Sequence, residues 1–135
     1  MTTRSVWDFY GALGEDARHG LTATEQPVAA ICDLRQEVNA GGFDSYFRYG
    51  GGNTAPAALA GLPTTLGPEW AVLLTEALGL FGESYPMDPD ARADVIDDLQ
   101  LDQAFEDLGH KFLVLEGQTD ADTLLCHAIG GSTSE

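Results

Sequence analysis

Basic residues are scarce in this chain of 135 residues. Six lysines and arginines stand against 22 aspartates and glutamates, which gives a formal net charge of −16. A phosphate backbone would be repelled over the whole approach path, so direct binding of nucleic acid is not expected. Anionic membrane surfaces would be repelled in the same way. A basic protein, in contrast, would be attracted.

Cysteines and long apolar segments are few as well. Cys32 and Cys126 are too few and too distant in the sequence for a disulfide framework, and the chain does not start with the pattern of a secretory leader. No run approaches the roughly 18 uninterrupted apolar residues that cross a bilayer. We therefore expect a cytoplasmic protein with reduced thiols and no membrane partner.

Motifs for a metal or a nucleophile are also missing. His19, His110 and His127 are scattered, and none belongs to an H-E-x-x-H arrangement. Cys126 and His127 are neighbours in the sequence, so on a helix their side chains point about 100° apart. This pattern disfavours a zinc site or a Cys-His catalytic pair.

Two loops resemble ligand sites only in part. Asp88 to Arg92 begins like a calcium loop, but Arg92 stands where a third ligand belongs and no glycine follows. Gly50 to Gly52 lacks the Gly-Lys-Ser/Thr ending of a phosphate-binding loop, so we expect a plain hinge there. The sequence therefore predicts no enzyme, no metal and no cofactor. A small enzyme with an unrecognised site is the least favoured alternative.

The chain is rich in helical periodicity. Apolar residues make up 44% of it, enough for one compact core. Helix starts are indicated by capping-box spacing at Ser5 and Thr22, by Pro68 and Pro89 in first helical positions, and by Asp120 as a cap. Residues 14–20 are expected to form a loop, and Thr54 is expected to cap a short helix. We predict an all-α fold with six or seven short helices, a single domain over residues 1–131 and a loose tail over 132–135.

The acidic residues are concentrated in the second half. Residues 1–68 carry a net charge of −3, and residues 69–135 carry −13. In the helix that starts at Pro89, aspartates recur at i, i+4, i+7 and i+8, while Val95, Ile96 and Leu99 are expected to face inward. If the next helix packs alongside, its acids extend this line. We call the whole set the acidic face: Asp88, Asp90, Asp94, Asp97, Asp98, Asp102, Glu106 and Asp107.

The spacing of this face is close to that of a phosphate backbone. One strand of B-DNA carries a charge about every 3.4 Å of axis, and helical residues four apart are separated by about 6 Å of rise. Like charges at i, i+4 repel by a few tenths of a kcal/mol per pair, and almost no basic residue interrupts them. Simple solvation of the helix surface is the alternative explanation.

Three aromatic residues follow a pair of glycines. Gly41 and Gly42 precede Phe43, Tyr46 and Phe47, whose i, i+3, i+4 spacing indicates a short buried helix after a flexible joint. Aromatic residues at this spacing more often belong to a core than to a ligand cage.

At this segment the chain resembles the DMP19-like domain family, once catalogued only as a domain of unknown function. The resemblance covers about residues 25–129. It rests on Glu37-Val38-Asn39, Gly41 to Phe47, Gly50-Gly51-Gly52-Asn53, Ala58-Leu59, Trp70 to Phe81, Arg92, and Leu101-Asp102-Gln103-Ala104-Phe105. The chain has Arg48-Tyr49 where many members have Asn and Ser.

The resemblance implies a helical fold and a role in protein binding. The family's named member is a dimer that imitates the charge distribution of DNA and so occupies DNA-binding proteins. By this resemblance the chain is expected to be a DNA mimic that binds a basic protein and regulates transcription, with a possible homodimer. The alternative is an immunity protein that neutralises a basic toxin such as a nuclease.

Overall fold

The computed structural model describes residues 6–129, except for the side chains of residues 15 and 16. Ser5 and the predicted tail over 132–135 lie outside this part of the chain. Within it there is no strand, and the predicted all-α class is confirmed. Eight α-helices follow one another: α1 (Val6–Gly11), α2 (Glu15–His19), α3 (Glu25–Arg48), α4 (Ala55–Thr65), α5 (Pro68–Gly79), α6 (Pro89–Leu99), α7 (Asp102–Gln118) and α8 (Ala121–Ala128).

Helix α3 is the centre of the fold. It is entered through the predicted capping box, in which Glu25 N donates to Thr22 Oγ1 at 3.1 Å and Thr22 N donates to Glu25 Oε1 at 3.0 Å. Gly42 interrupts it with a φ of 76° and a ψ of −178°, a conformation that is open almost only to glycine. The predicted joint between two helical segments is therefore present at Gly42.

The other helices pack around α3. α4, α6 and α7 contact it directly, α5 fills the angle between α4 and α7, and α8 joins α1, α3 and α4. The core between them is aromatic. Phe47 lies at its centre and is within 6 Å, ring centre to ring centre, of five other aromatic rings: Phe43, Tyr46, Phe81, Tyr85 and Phe105.

The loop predicted over residues 14–20 is wrong, because a short helix, α2, forms there. Arg18 of α2 donates two hydrogen bonds to the carboxylate of Asp33, at 2.6 and 3.1 Å. Asp33 also accepts a hydrogen bond from Tyr10 of α1. A buried carboxylate on α3 thus anchors both N-terminal helices, and this tertiary contact outweighs the weak local signal.

Thr54 precedes α4, but its side chain does not cap the helix. Its hydroxyl donates to Asp33 Oδ2 at 2.8 Å instead. Where a plain hinge is predicted at Gly50 to Gly52, the structure has a 3-10 turn (Gly50–Thr54), in which Gly52 is buried. A Cβ at Gly52 would lie 2.8 Å from the hydroxyl of Tyr85, so the turn is packed too closely for any larger residue.

No helix in residues 6–129 is long and apolar enough to cross a membrane.

Candidate functional site

Helix α6 carries the first part of the acidic face. Asp88 caps it, its Oδ2 accepting a hydrogen bond from Ala91 N at 3.1 Å, and Pro89 fills the first position. Asp90, Asp94 and Asp98 are exposed along the outer side. No basic group among residues 6–129 lies within ion-pair distance of these three carboxylates.

The inner side of α6 differs from the prediction at two positions. Ile96 is buried as expected, but Leu99 is 58% exposed because α6 ends there. Arg92 of the same helix is fully buried as well. Its guanidinium donates to the carbonyl oxygens of Phe47, Tyr49 and Pro86. Sequence periodicity could not indicate this, because a charged residue is expected to face solvent.

Asp97 differs from its neighbours on the acidic face. Arg48 of α3 donates to Asp97 Oδ1 at 2.7 Å and to Asp44 Oδ1 at 2.8 Å. The hydrogen bonds to Asp97 and Asp44 raise the pKa of Arg48 above its ordinary value. The charge of Asp97 is therefore balanced by a neighbouring cation.

Helix α7 carries the rest of the acidic face. Gln100, with a φ of 53°, turns the chain between α6 and α7, and both helices pack mainly on α3 rather than on each other. Asp102, Glu106 and Asp107 are exposed on α7, and Asp107 accepts a hydrogen bond from Gln103 at 3.0 Å. The acidic face is thus two adjoining patches and not one continuous line.

A groove lies where α7 crosses the kink of α3. Its volume is about 350 Å³. We call it the acidic groove, and its lining comprises Val38, Asn39, Gly41, Gly42, Phe43, Asp44, Asp102, Phe105, Glu106, Gly109, His110 and Leu113. Sequence reasoning found Asp102 and Glu106 but missed the groove and Asp44, because the kink and the packing of α7 bring these segments together.

The glycines and aromatic residues of the predicted family motif meet at this kink. Gly42 forms the kink, and a Cβ at Gly41 would lie 2.6 Å from Cβ of Ser45. Phe43, Tyr46 and Phe47 are all buried, with at most 1% of each exposed. The motif therefore shapes the wall of the groove through backbone conformation and fills the core behind it.

Every arginine and lysine in residues 6–129 has a partner within the molecule. Arg18 binds Asp33, Arg48 binds Asp44 and Asp97, and Arg92 binds carbonyl oxygens. The two others hold α7 to its neighbours. Arg35 donates to Glu116 at 2.7 Å and to Asp122 at 2.8 Å, and Lys111 lies 3.7 Å from Glu76.

These internal contacts leave the outer carboxylates in excess. Within the described residues no three His, Cys, Asp or Glu side chains are placed to hold a metal ion. The site therefore offers electrostatic binding of a cationic surface.

One of three comparisons with known proteins found a match. Searches of curated proteins and of solved structures returned no match. A family model described as DMP19-like protein matches residues 19–129, which is most of the chain and begins six residues before the resemblance seen in the sequence. The resemblance is confirmed: this chain belongs to the DMP19-like protein family.

Proposed function

We propose that this chain is an acidic protein-binding protein that imitates DNA and occupies the DNA-binding surface of a basic protein. It acts by binding alone, with no catalytic step and no cofactor. Its partner is a basic DNA-binding protein, and the contact is made by the acidic face. The homodimer implied by the resemblance stays a prediction of this proposal.

The observation that carries the proposal is the distribution of charge. Each arginine and lysine of residues 6–129 has a partner within the molecule, while Asp90, Asp94 and Asp98 project from α6 with no arginine or lysine within ion-pair distance. Ordinary protein surfaces mix charges of both signs. A surface of one sign attracts a basic partner over a distance and accelerates its association.

The geometry of α6 fits a groove-binding partner. Residues four apart on a helix rise by about 6 Å, and every second phosphate of a B-DNA strand lies about 6.8 Å along the axis. Side chains of arginine and lysine that are spaced to bind phosphates therefore meet carboxylates at similar intervals on α6. α6 itself is held rigidly, because Arg92 and Ile96 are fully buried on its inner side.

The test is affinity capture from a native lysate with elution by a salt gradient. The variant D90N/D94N/D98N removes three exposed charges of the acidic face. The matched control E69Q/E76Q/E83Q removes three exposed charges elsewhere, so that both variants have the same net charge. Among the described residues it breaks only the long, exposed ion pair between Glu76 and Lys111, at 3.7 Å. Asp97 is left intact, because its substitution would release Arg48.

Capture of a DNA-binding protein by the wild type and the control, but not by D90N/D94N/D98N, supports the proposal. Competition by duplex DNA for the same partner is also expected. If both variants lose capture equally, net charge alone explains the binding, and a specific contact through the acidic face is contradicted. Capture of a basic toxin instead would support the immunity-protein alternative, in which DNA competes only if the toxin is a nuclease.

A further inference from the structure

The acidic groove contains more than a cluster of carboxylates. One side of it is a single face of α7, along which Asp102, Phe105, Glu106, Gly109 and Leu113 follow one another at helical intervals. The volume of about 350 Å³ lies within the range of clefts that enclose a small ligand. Carboxylates at its edge are thus combined with a concave apolar surface, which an outward-facing aspartate stripe does not have.

The opposite wall adds one feature that attracts a cation. It is not Asp44, which lines the groove from α3 but is ion-paired with Arg48 at 2.8 Å. The helical segment over residues 25–41 ends at Gly42, and Asn39 and Gly41 at its end line the groove. The C-terminal end of a helical segment carries partial negative charge on its last carbonyl groups.

The floor of the groove is aromatic and aliphatic. Phe43 and Phe105 contribute to it from the core, and Leu113 forms an apolar edge that is 56% exposed. A cationic side chain with an apolar stem matches such a site. The stem covers the apolar floor, and the charged end reaches the carboxylates.

We propose that the acidic groove receives one arginine side chain of the basic partner. Arginine fits better than lysine, because its planar guanidinium can bind two carboxylates at once. Asp102 and Glu106, one helical turn apart on α7, supply the carboxylates, and Leu113 supplies the exposed apolar edge that the stem of the side chain covers. This inference rests on the proposed function and names the group of the partner that is recognised.

One substitution can obstruct the groove without changing the charge of the protein. A Cβ at Gly109 meets no atom within 4 Å, and neither does one at Gly117 on the same helix. Gly109 lines the groove and Gly117 does not. We therefore expect G109L to extend its side chain into the groove while the fold is kept, and G117L is its control. The charge variant D102N/E106Q has a matched control in E69Q/E83Q, which removes two exposed charges outside the acidic face and the groove.

The experiment is a titration of the ¹⁵N-labelled full chain with N-acetyl-arginine methylamide, followed by two-dimensional NMR. Its uncharged isostere, N-acetyl-citrulline methylamide, is titrated in parallel, and the lysine analogue ranks the two cations. For one side chain a dissociation constant on the order of 1 mM is expected. The largest shifts should fall on the amides of Gly41, Gly42 and Gly109.

The expected result is that G109L and D102N/E106Q weaken arginine binding at least about fivefold, a loss of roughly 1 kcal/mol, while both controls bind as the wild type does. Citrulline should not bind. Shifts spread over α6, equal binding by G109L, or equal binding of citrulline would each overturn the inference.

The two proposals fail separately. If D90N/D94N/D98N loses a captured DNA-binding protein but G109L captures it normally, the groove inference is wrong and the proposed function stands. If arginine binds in the groove but no DNA-binding protein is captured, the proposed function is wrong.

Discussion

Arg92 of α6 donates a hydrogen bond from Nε to the carbonyl oxygen of Phe47 in α3, at 2.7 Å. Its Nη2 reaches the carbonyl oxygen of Tyr49 at 2.9 Å and Asn53 Oδ1 at 2.8 Å. The guanidinium lies 5.3 Å from the centre of the Tyr85 ring. A fully buried cation at the negative end of α3 thus fastens the helix that carries the acidic face.

Replacement of Arg92 should therefore be costly. R92M removes four hydrogen bonds and leaves buried carbonyl groups without donors, so we expect the free energy of unfolding to fall by at least about 3 kcal/mol. K111M removes an exposed cation and should change it by less than about 0.5 kcal/mol. Urea unfolding followed by circular dichroism measures both. A loss below about 1 kcal/mol in R92M would contradict this role.

The tyrosines at 46 and 10 should respond in opposite ways to loss of the hydroxyl. Tyr46 is fully buried, and its hydroxyl has no hydrogen-bond partner within the described residues, whereas the hydroxyl of Tyr10 donates to Asp33. Y46F should leave the stability unchanged or raise it by up to about 1 kcal/mol, and Y10F should lower it by about 1 to 3 kcal/mol. Thermal unfolding of both variants provides the test. A clear loss in Y46F would mean that its hydroxyl is satisfied after all.

Three glycines provide a third contrast. G42A forces a side chain onto a φ of 76° and should cost more than about 1 kcal/mol, while G52A meets Tyr85 at 2.8 Å and should cost a similar amount. G109A places its Cβ in open space within α7 and should stabilise the chain by up to about 1 kcal/mol. Equal effects of G42A and G109A in urea unfolding would contradict the kink at Gly42.

Most helices could be predicted from the sequence because their starts carry local signals. The box at Thr22 and Glu25 and the cap at Asp88 act within a few residues. Arg92 could not be predicted to be buried, because its acceptors come from segments far away in the sequence.

The acidic groove could not be predicted from the sequence for the same reason. Asp44 and Asp102 are brought together by the kink at Gly42 and by the packing of α7 on α3, neither of which leaves a periodic signal. The sequence predicts which residues are acidic and helical, and tertiary packing decides which of them share a site.

High pH should destabilise the chain progressively. Burial raises the pKa of Tyr85 from 10.0 to about 12 and that of Cys32 from 9.0 to about 12, and burial also raises the pKa of Tyr46. Well below pH 9 these groups are almost entirely neutral in both states. Above it the unfolded chain releases protons that the folded chain retains, so stability falls as pH rises towards 12.

The urea midpoint should therefore decline steadily from pH 9 to pH 11. Y46F, which lacks one of these groups, should show a shallower decline. A midpoint that stays constant to pH 11 would contradict the burial of these groups. The same raised pKa predicts that Cys32 resists alkylation in the folded chain at pH 8 and reacts after unfolding.

The aspartates of α6 should differ in their effect on stability. Asp90 lies in the first turn, where a carboxylate stabilises the helix, whereas Asp98 lies in the last turn and repels Asp94 one turn away. We expect D98N to raise the free energy of unfolding by about 0.5 to 1 kcal/mol and D90N to lower it by about 0.3 to 1 kcal/mol. The measurement is urea unfolding at low ionic strength.

Repeating the unfolding measurements at high salt distinguishes an electrostatic effect of these aspartates from an effect on packing. In about 1 M NaCl the Debye length is about 3 Å, so both differences should nearly vanish. Differences that persist in salt would assign the effects to packing instead. A stabilising D98N would mean that α6 keeps a charge that opposes its own folding, as expected of a residue retained for a basic partner. A neutral D98N would favour plain solvation of this part of the acidic face.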